Sequence, residues 1–162
     1  MIRIEMAIRV PVKLDRRRLR SAIRAILKDA AISHGEISLA IVSDDEIHTL
    51  NKKFLQHDYP TDVLSFRLDE ATDRHTLEGE IIVSWDRACC LAKQVGWSPE
   101  DELLLYVIHG CLHLVGYDDH SPGARRIMRE QEANYLGRID PQLQILHQSH
   151  CQGPSRRSRR RR

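Results

Sequence analysis

Apolar residues alternate at the start of the chain, with Ile2, Ile4, Met6, Ile8 and Val10 on one side and Arg3, Glu5 and Arg9 on the other. A period of two predicts a half-buried strand over residues 2–10. From Asp15 the period lengthens. Leu19, Ala22, Ile23, Ile26, Leu27 and Ala30 follow the spacing of an amphipathic helix, with Gly35 just beyond its end. A second strand is expected over 36–42 around Ile37, Leu39 and Ile41, then a helix capped by Asp44 or Asp45 that carries Ile47, Leu50 and Phe54. The loop 56–61 leads to a short strand over 62–66, a polar stretch over 69–76 and a further strand over 79–84. Asp86 is expected to cap a helix that stops near Gly96. Ser98, Pro99, Glu100 and Asp101 then open another helix with a cap, a first-turn proline and acids at the positive dipole end. Its stretch 103–108 is apolar nearly all round, which predicts a buried helix. Ser121 and Pro122 start the last expected helix, anchored by Met128, Tyr135 and Leu136.

The order β-α-β-α-β-β-α-α-α predicts an α/β (α+β) fold. It should be a single layered domain in which a small mixed sheet of about four strands packs with about five helices. At 162 residues, with 41% hydrophobic and 30% charged residues, the chain suits one soluble domain with its own core. No run of 18 apolar residues occurs, which argues against a membrane helix, and the charged, alternating N-terminus is unlike a secretion signal. The expectation is a cytoplasmic protein with no membrane partner.

Charge divides the chain in two. Six of its 25 basic residues are arginines between 156 and 162, so the rest carries 19 bases against 23 acids, a balance of −4 under a nominal +2. We therefore expect a folded domain over residues 1–150 and a basic, disordered tail over 151–162. Each arginine can neutralise one phosphate and release a counterion, so such an arm suits RNA.

The four cysteines suggest no disulfide framework. Cys89 and Cys90 are adjacent, Cys111 should pack in the core, and Cys151 lies in a weakly patterned segment with His147 and His150, a poor candidate for a second metal cluster.

The chemistry concentrates in His109-Gly110-Cys111-Leu112-His113-Leu114-Val115-Gly116-Tyr117-Asp118-Asp119-His120. Helical positions four apart lie about 40° apart around the axis and ~6 Å along it, so both imidazoles point the same way. Gly116 ends the helix and lets the chain reverse, which returns Asp118, Asp119 and His120 as possible further ligands. Two histidines, a glycine stop and a ligand on the turn form the layout of a catalytic zinc site with one position left for water. Zinc peptidases of the His-Glu-x-x-His type carry a glutamate base after the first histidine; here that residue is Gly110, which weakens the peptidase reading.

These residues resemble the YbeY family of single-strand-specific metallo-endoribonucleases, also called rRNA maturation factors. The resemblance rests on His109 through Asp118, on Thr61-Asp62-Val63-Leu64-Ser65-Phe66, on Leu50-Asn51 and on Gly79-Glu80-Ile81. It implies one Zn2+ per chain, cleavage of single-stranded RNA at the 3′ end of small-subunit rRNA, ribosome quality control, and ribosomal RNA or proteins as partners, with no DNA expected. By position it makes His109 and His113 zinc ligands and catalytic residues. The family's third ligand is usually a histidine six residues after the second, and that place is Asp119 here. Asp119 is the favoured third ligand and His120 the alternative. Thr61, Asp62, Ser65 and Arg67 are implied as substrate contacts. The family's functional arginine falls at Leu55 here, and Arg67 or Lys53 would have to replace it. The rival to an enzyme is a zinc-containing rRNA or ribosome assembly factor without catalysis.

Overall fold

The alternation at the start of the chain becomes an edge strand of the sheet, β1 (Ile2–Ile8), whose Ile2, Ile4, Met6 and Ile8 turn to the main core. The computed structural model describes residues 1–57, 59, 61–70 and 72–151. Asp58 and Pro60 of the expected loop, Ala71, and the arginine tail from residue 152 lie outside the described residues. After β1 come α1 (Arg16–Asp29), β2 (His34–Val42), α2 (Asp44–Leu55), β3 (Val63–Arg67), β4 (Thr76–Ser84), α3 (Trp85–Val95), α4 (Pro99–Leu114), α5 (Pro122–Ile139) and α6 (Pro141–Cys151). The sheet order is β1-β2-β4-β3, with β1, β2 and β4 parallel and β3 antiparallel at the edge. This is the expected mixed four-stranded α/β architecture.

Register decides which residues share a face. Met6, Leu39, Ile81 and Ser65 form one row across the sheet, and Ile8, Ile41, Val83 and Val63 the next. This face builds the main core with α1, α3, α4 and the packed sides of α5 and α6. The other face holds a smaller cluster, Val42, Ile47, Leu64 and Ile82, to which α2 contributes Ile47. Helix α4 is buried from Glu102 to Leu112, as its all-round apolar run predicts. Its close approach to the sheet needs Gly110, where a Cβ would lie 2.9 Å from Ile81 Cγ2 and 3.0 Å from Val63 Cγ2.

Several expectations are corrected. Ser43, not Asp44 or Asp45, caps α2 by accepting the Glu46 N–H, and Ser84, not Asp86, caps α3 by accepting the Arg87 N–H, each at 3.2 Å. Each strand runs straight into its helix, so the junction serine already has the extended backbone a cap requires. Asp86 instead accepts the Asp44 backbone N–H at 2.7 Å and ties the two helix starts together. Gly35 lies inside β2 rather than beyond α1. Its φ is +122°, and a Cβ there would sit 2.0 Å from the Leu77 carbonyl oxygen, so the close parallel partner dictates glycine. Phe54 is 57% exposed, with its ring edge-on to Phe66 rather than in the core. A sixth helix, α6, joins the five expected, because Leu143 and His147 bury against the rest of the domain. Its last residue, Cys151, is the first of the expected tail.

Candidate metal centre

Helix α4 delivers His109 and His113 one turn apart, with their rings edge-on at 4.5 Å and their Nε2 atoms 3.0 Å apart. The helix then stops in a Schellman arrangement. Gly116, at φ +108°, donates its N–H to the His113 carbonyl at 3.1 Å, and Tyr117 donates to the Leu112 carbonyl at 3.0 Å. The reversed chain brings Asp119 Oδ2 to 3.7 Å from His109 Nε2 and 3.8 Å from His113 Nε2. Arg125 of α5 fixes the turn by donating to the Asp119 carbonyl at 3.3 Å.

Donors bound at about 2.0–2.1 Å in a tetrahedron lie roughly 3.4 Å apart, and the three observed separations bracket that value. His109, His113 and Asp119 therefore fit one divalent ion. Side-chain exposure rises from 9% at His109 to 27% at His113 and 33% at Asp119, so one wall is sealed and the other faces solvent. His120 is exposed, and its backbone N–H donates to Asp118 Oδ1 at 3.2 Å. The group is completed by Asp119.

Without an ion, these side chains hold one another by charge. The His113 ring beside Asp119 brings that carboxyl down to about 2, and the carboxylate in turn raises His113 above its ordinary 6.5 against the effect of burial. The raised His113 contributes stability fully below 6.5 and loses it as pH rises through its folded value. The lowered Asp119 contributes above 3.8 and loses it as pH falls through about 2. A metal must displace the His113 proton. Affinity for a divalent ion should therefore tighten at least about tenfold per pH unit up to the raised His113 value and level off above it, which competition titration across pH will measure. In the metal-free chain, Asp119→Asn should lower the pH at which the His113 ring titrates, since the carboxylate that raises it is gone, a shift NMR will read.

The other implied site residues are placed differently. Thr61 donates to Asp62 Oδ1 at 3.4 Å, and Asp62 Oδ1 accepts the Val63 N–H at 2.9 Å, so both side chains close their own loop. Ser65 is half-buried on the sheet face against which Gly110 packs. Arg67 forms a fork with Asp69, Nε to Oδ1 at 2.9 Å and Nη2 to Oδ2 at 3.0 Å. Lys53 lies 5.3 Å over the Phe54 ring, and Leu55 ends α2 partly in solvent. Asn51 is buried and donates to the Tyr59 carbonyl at 2.8 Å, pinning the loop after α2. Cys111 packs in the core, where burial pushes its thiol up to about 12. Sequence reasoning missed Glu132, a fully buried carboxylate 3.4 Å from His109 Nδ1. The signal was present, since Glu132 stands four residues after Met128 on the apolar side of α5.

Fold and site together define an α/β protein with a candidate metal centre at the end of a buried helix. The profile of the family described as Endoribonuclease YbeY matches residues 5–140. Two proteins named Endoribonuclease YbeY are similar to the chain. One from Rhodopirellula baltica is 42% identical over 68% of this chain and 57% of its own length. One from Salinibacter ruber is 38% identical over 80% of this chain and 86% of its own. A Thermotoga maritima protein solved in solution shares the fold at a TM-score of 0.59 and 33% identity, over 86% of this chain and 89% of that one. The chain belongs to the Endoribonuclease YbeY family. No helix among the described residues is long and apolar enough to cross a membrane.

Proposed function

We propose that this protein is a zinc-dependent endoribonuclease that cuts single-stranded RNA in the maturation of ribosomal RNA. The 3′ end of small-subunit rRNA is its substrate and ribosome quality control its setting. One observation supports this most: two imidazole nitrogens and one carboxylate oxygen converge within 4.8 Å of one another, at the mouth of a half-open site, inside the family-matched span. Two imidazoles with one carboxylate favour zinc over magnesium, which prefers oxygen donors.

In this reading His109, His113 and Asp119 hold the ion and leave its solvent side open. When bound, zinc polarises a phosphoryl oxygen and lowers the pKa of its water toward neutrality. Ser65, on the α4 side of β3, contacts the RNA. Thr61 and Asp62 set the approach of the edge strand, and Arg67 binds phosphate when it leaves Asp69. The folded part, over residues 1–150, carries net negative charge and repels RNA, so the arginine tail supplies the long-range attraction and the contact with the ribosome. The compartment is the cytoplasm, consistent with four cysteines that form no disulfide among the described residues.

The test is cleavage of an rRNA fragment with a single-stranded 3′ extension by the full-length chain, with and without chelator. Cuts confined to the extension, lost with chelator and restored by zinc, are expected; single-stranded DNA should stay intact. Cleavage that survives in a zinc-free, nuclease-clean preparation overturns the proposal. RNA that is bound but never cut identifies an assembly factor instead.

A further inference from the structure

Glu132 sits in the middle of α5, fully buried, with each carboxylate oxygen near a different imidazole. Its Oε1 lies 3.4 Å from His109 Nδ1 and its Oε2 3.7 Å from His147 Nε2. His147 is 1% exposed and belongs to α6, beyond the family-matched span that ends at residue 140. The indole of Trp97 lies parallel to the His147 ring, with centroids 6.4 Å apart and planes at 8°. Trp97 is itself held by its Nε1–H, which donates to the buried Glu102 Oε2 at 2.7 Å. Cys151 Sγ, one turn further along α6, lies 3.6 Å from His147 Nε2. Side chains of α4 and α6 thus converge on one buried carboxylate of α5, and the loop before α4 packs against its His147 neighbour. Such a group is costly inside a protein unless donors face both oxygens.

We infer that Glu132 is a positioning residue of the metal centre and that His147 anchors it. Glu132 accepts a hydrogen bond from the Nδ1–H of His109. That tautomer leaves His109 Nε2 bare toward His113 and Asp119. His147 holds the second carboxylate oxygen and so couples the docking of α6 to the affinity for metal. The inference rests on the metal-centre reading of His109, His113 and Asp119. Removing an outer partner of a metal-bound histidine weakens metal binding about 10–100-fold in comparable sites.

The experiment uses the full-length chain. Zinc affinity is read by competition with a chromophoric chelator, ligand geometry by the visible spectrum of bound Co2+, and the His109 tautomer by nitrogen NMR of the metal-free imidazoles at mildly alkaline pH. In the wild type the His109 proton should sit on Nδ1. His147→Leu should weaken zinc about tenfold and alter the cobalt spectrum, while His147→Gln, which can still donate to Glu132, should restore both. Glu132→Gln should weaken zinc yet keep the Nδ1–H tautomer. A folded His147→Leu chain with wild-type zinc affinity and cobalt spectrum overturns the inference. So does a wild-type His109 protonated on Nε2, a measurement that needs no variant to fold. A wild-type chain that binds no zinc refutes the metal-centre reading itself, a distinct outcome.

Discussion

Zinc content and RNA cleavage should both fall to background in the His113→Ala protein. Apparent binding free energies for closed four-ligand zinc sites are about 10–16 kcal/mol, so one ligand of four is worth roughly 3–4 kcal/mol, or about 10²–10³ in affinity. The remaining pair, His109 and Asp119, cannot fix the geometry of an ion with an open coordination position. The loss should be local, because the His113 side chain is 27% exposed and its removal leaves no sealed cavity. At alkaline pH, where His113 has lost its proton and its charge pairing with Asp119, thermal unfolding of the metal-free variant should stay close to that of the metal-free wild type. Two companions locate the third ligand. Asp119→Ala should behave as His113→Ala does, whereas His120→Ala should retain zinc, since His120 lies outside the three-donor group. Asp119→His should also retain it by exchanging one accepted zinc donor for another. Measured metal of one equivalent per His113→Ala chain, at ordinary zinc concentrations, sinks the assignment.

The parts of this molecule legible in the sequence are those set by short-range periodicity. Alternation at Ile2 to Ile8 and the 3.6 period from Leu19 to Leu27 give β1 and α1, and the uniformly apolar 103–108 gives the buried α4. The histidine pair was legible for the same reason, since helix geometry alone fixes its direction. What escaped depends on partners distant in the chain. Gly35 reads as a helix stop until Leu77, 42 residues on, is paired with it. The caps at Ser43 and Ser84 were hidden because nearby aspartates offered the same chemistry and only the strand-to-helix junction chooses between them. Glu132 and His147 acquire a shared role only when α5 and α6 fold against α4. Neither the spacing from His109 nor any local motif encodes that meeting. Arg67 looked available as an isolated strand-end cation, yet Asp69, two residues later, turns back to engage it.

Installing the zinc-peptidase motif by Gly110→Glu should unfold the protein rather than convert it. Gly110 lies one residue after His109 and so points about 100° away from it around the helix. That direction leads into the sheet, where a Cβ already meets Ile81 and Val63 at 2.9 and 3.0 Å. Ile81 is fully buried in the main core and has little room to yield. Gly110→Ala alone should cost about 1–3 kcal/mol of overpacking, offset in part by roughly 1 kcal/mol of helix propensity. At about 2–4 °C per kcal/mol for a chain of this size, its midpoint should drop by up to ~8 °C while any bound metal is retained. The glutamate adds the burial of a carboxylate among aliphatic side chains, several kcal/mol more unless it is protonated or expelled. Together these approach the ~5–15 kcal/mol that holds a domain of this kind folded. Circular dichroism and thermal unfolding should show loss of cooperative structure in Gly110→Glu, with no peptidase activity gained. A Gly110→Glu chain that melts with the wild type would mean that α4 does not press on β3 and β4 at this glycine.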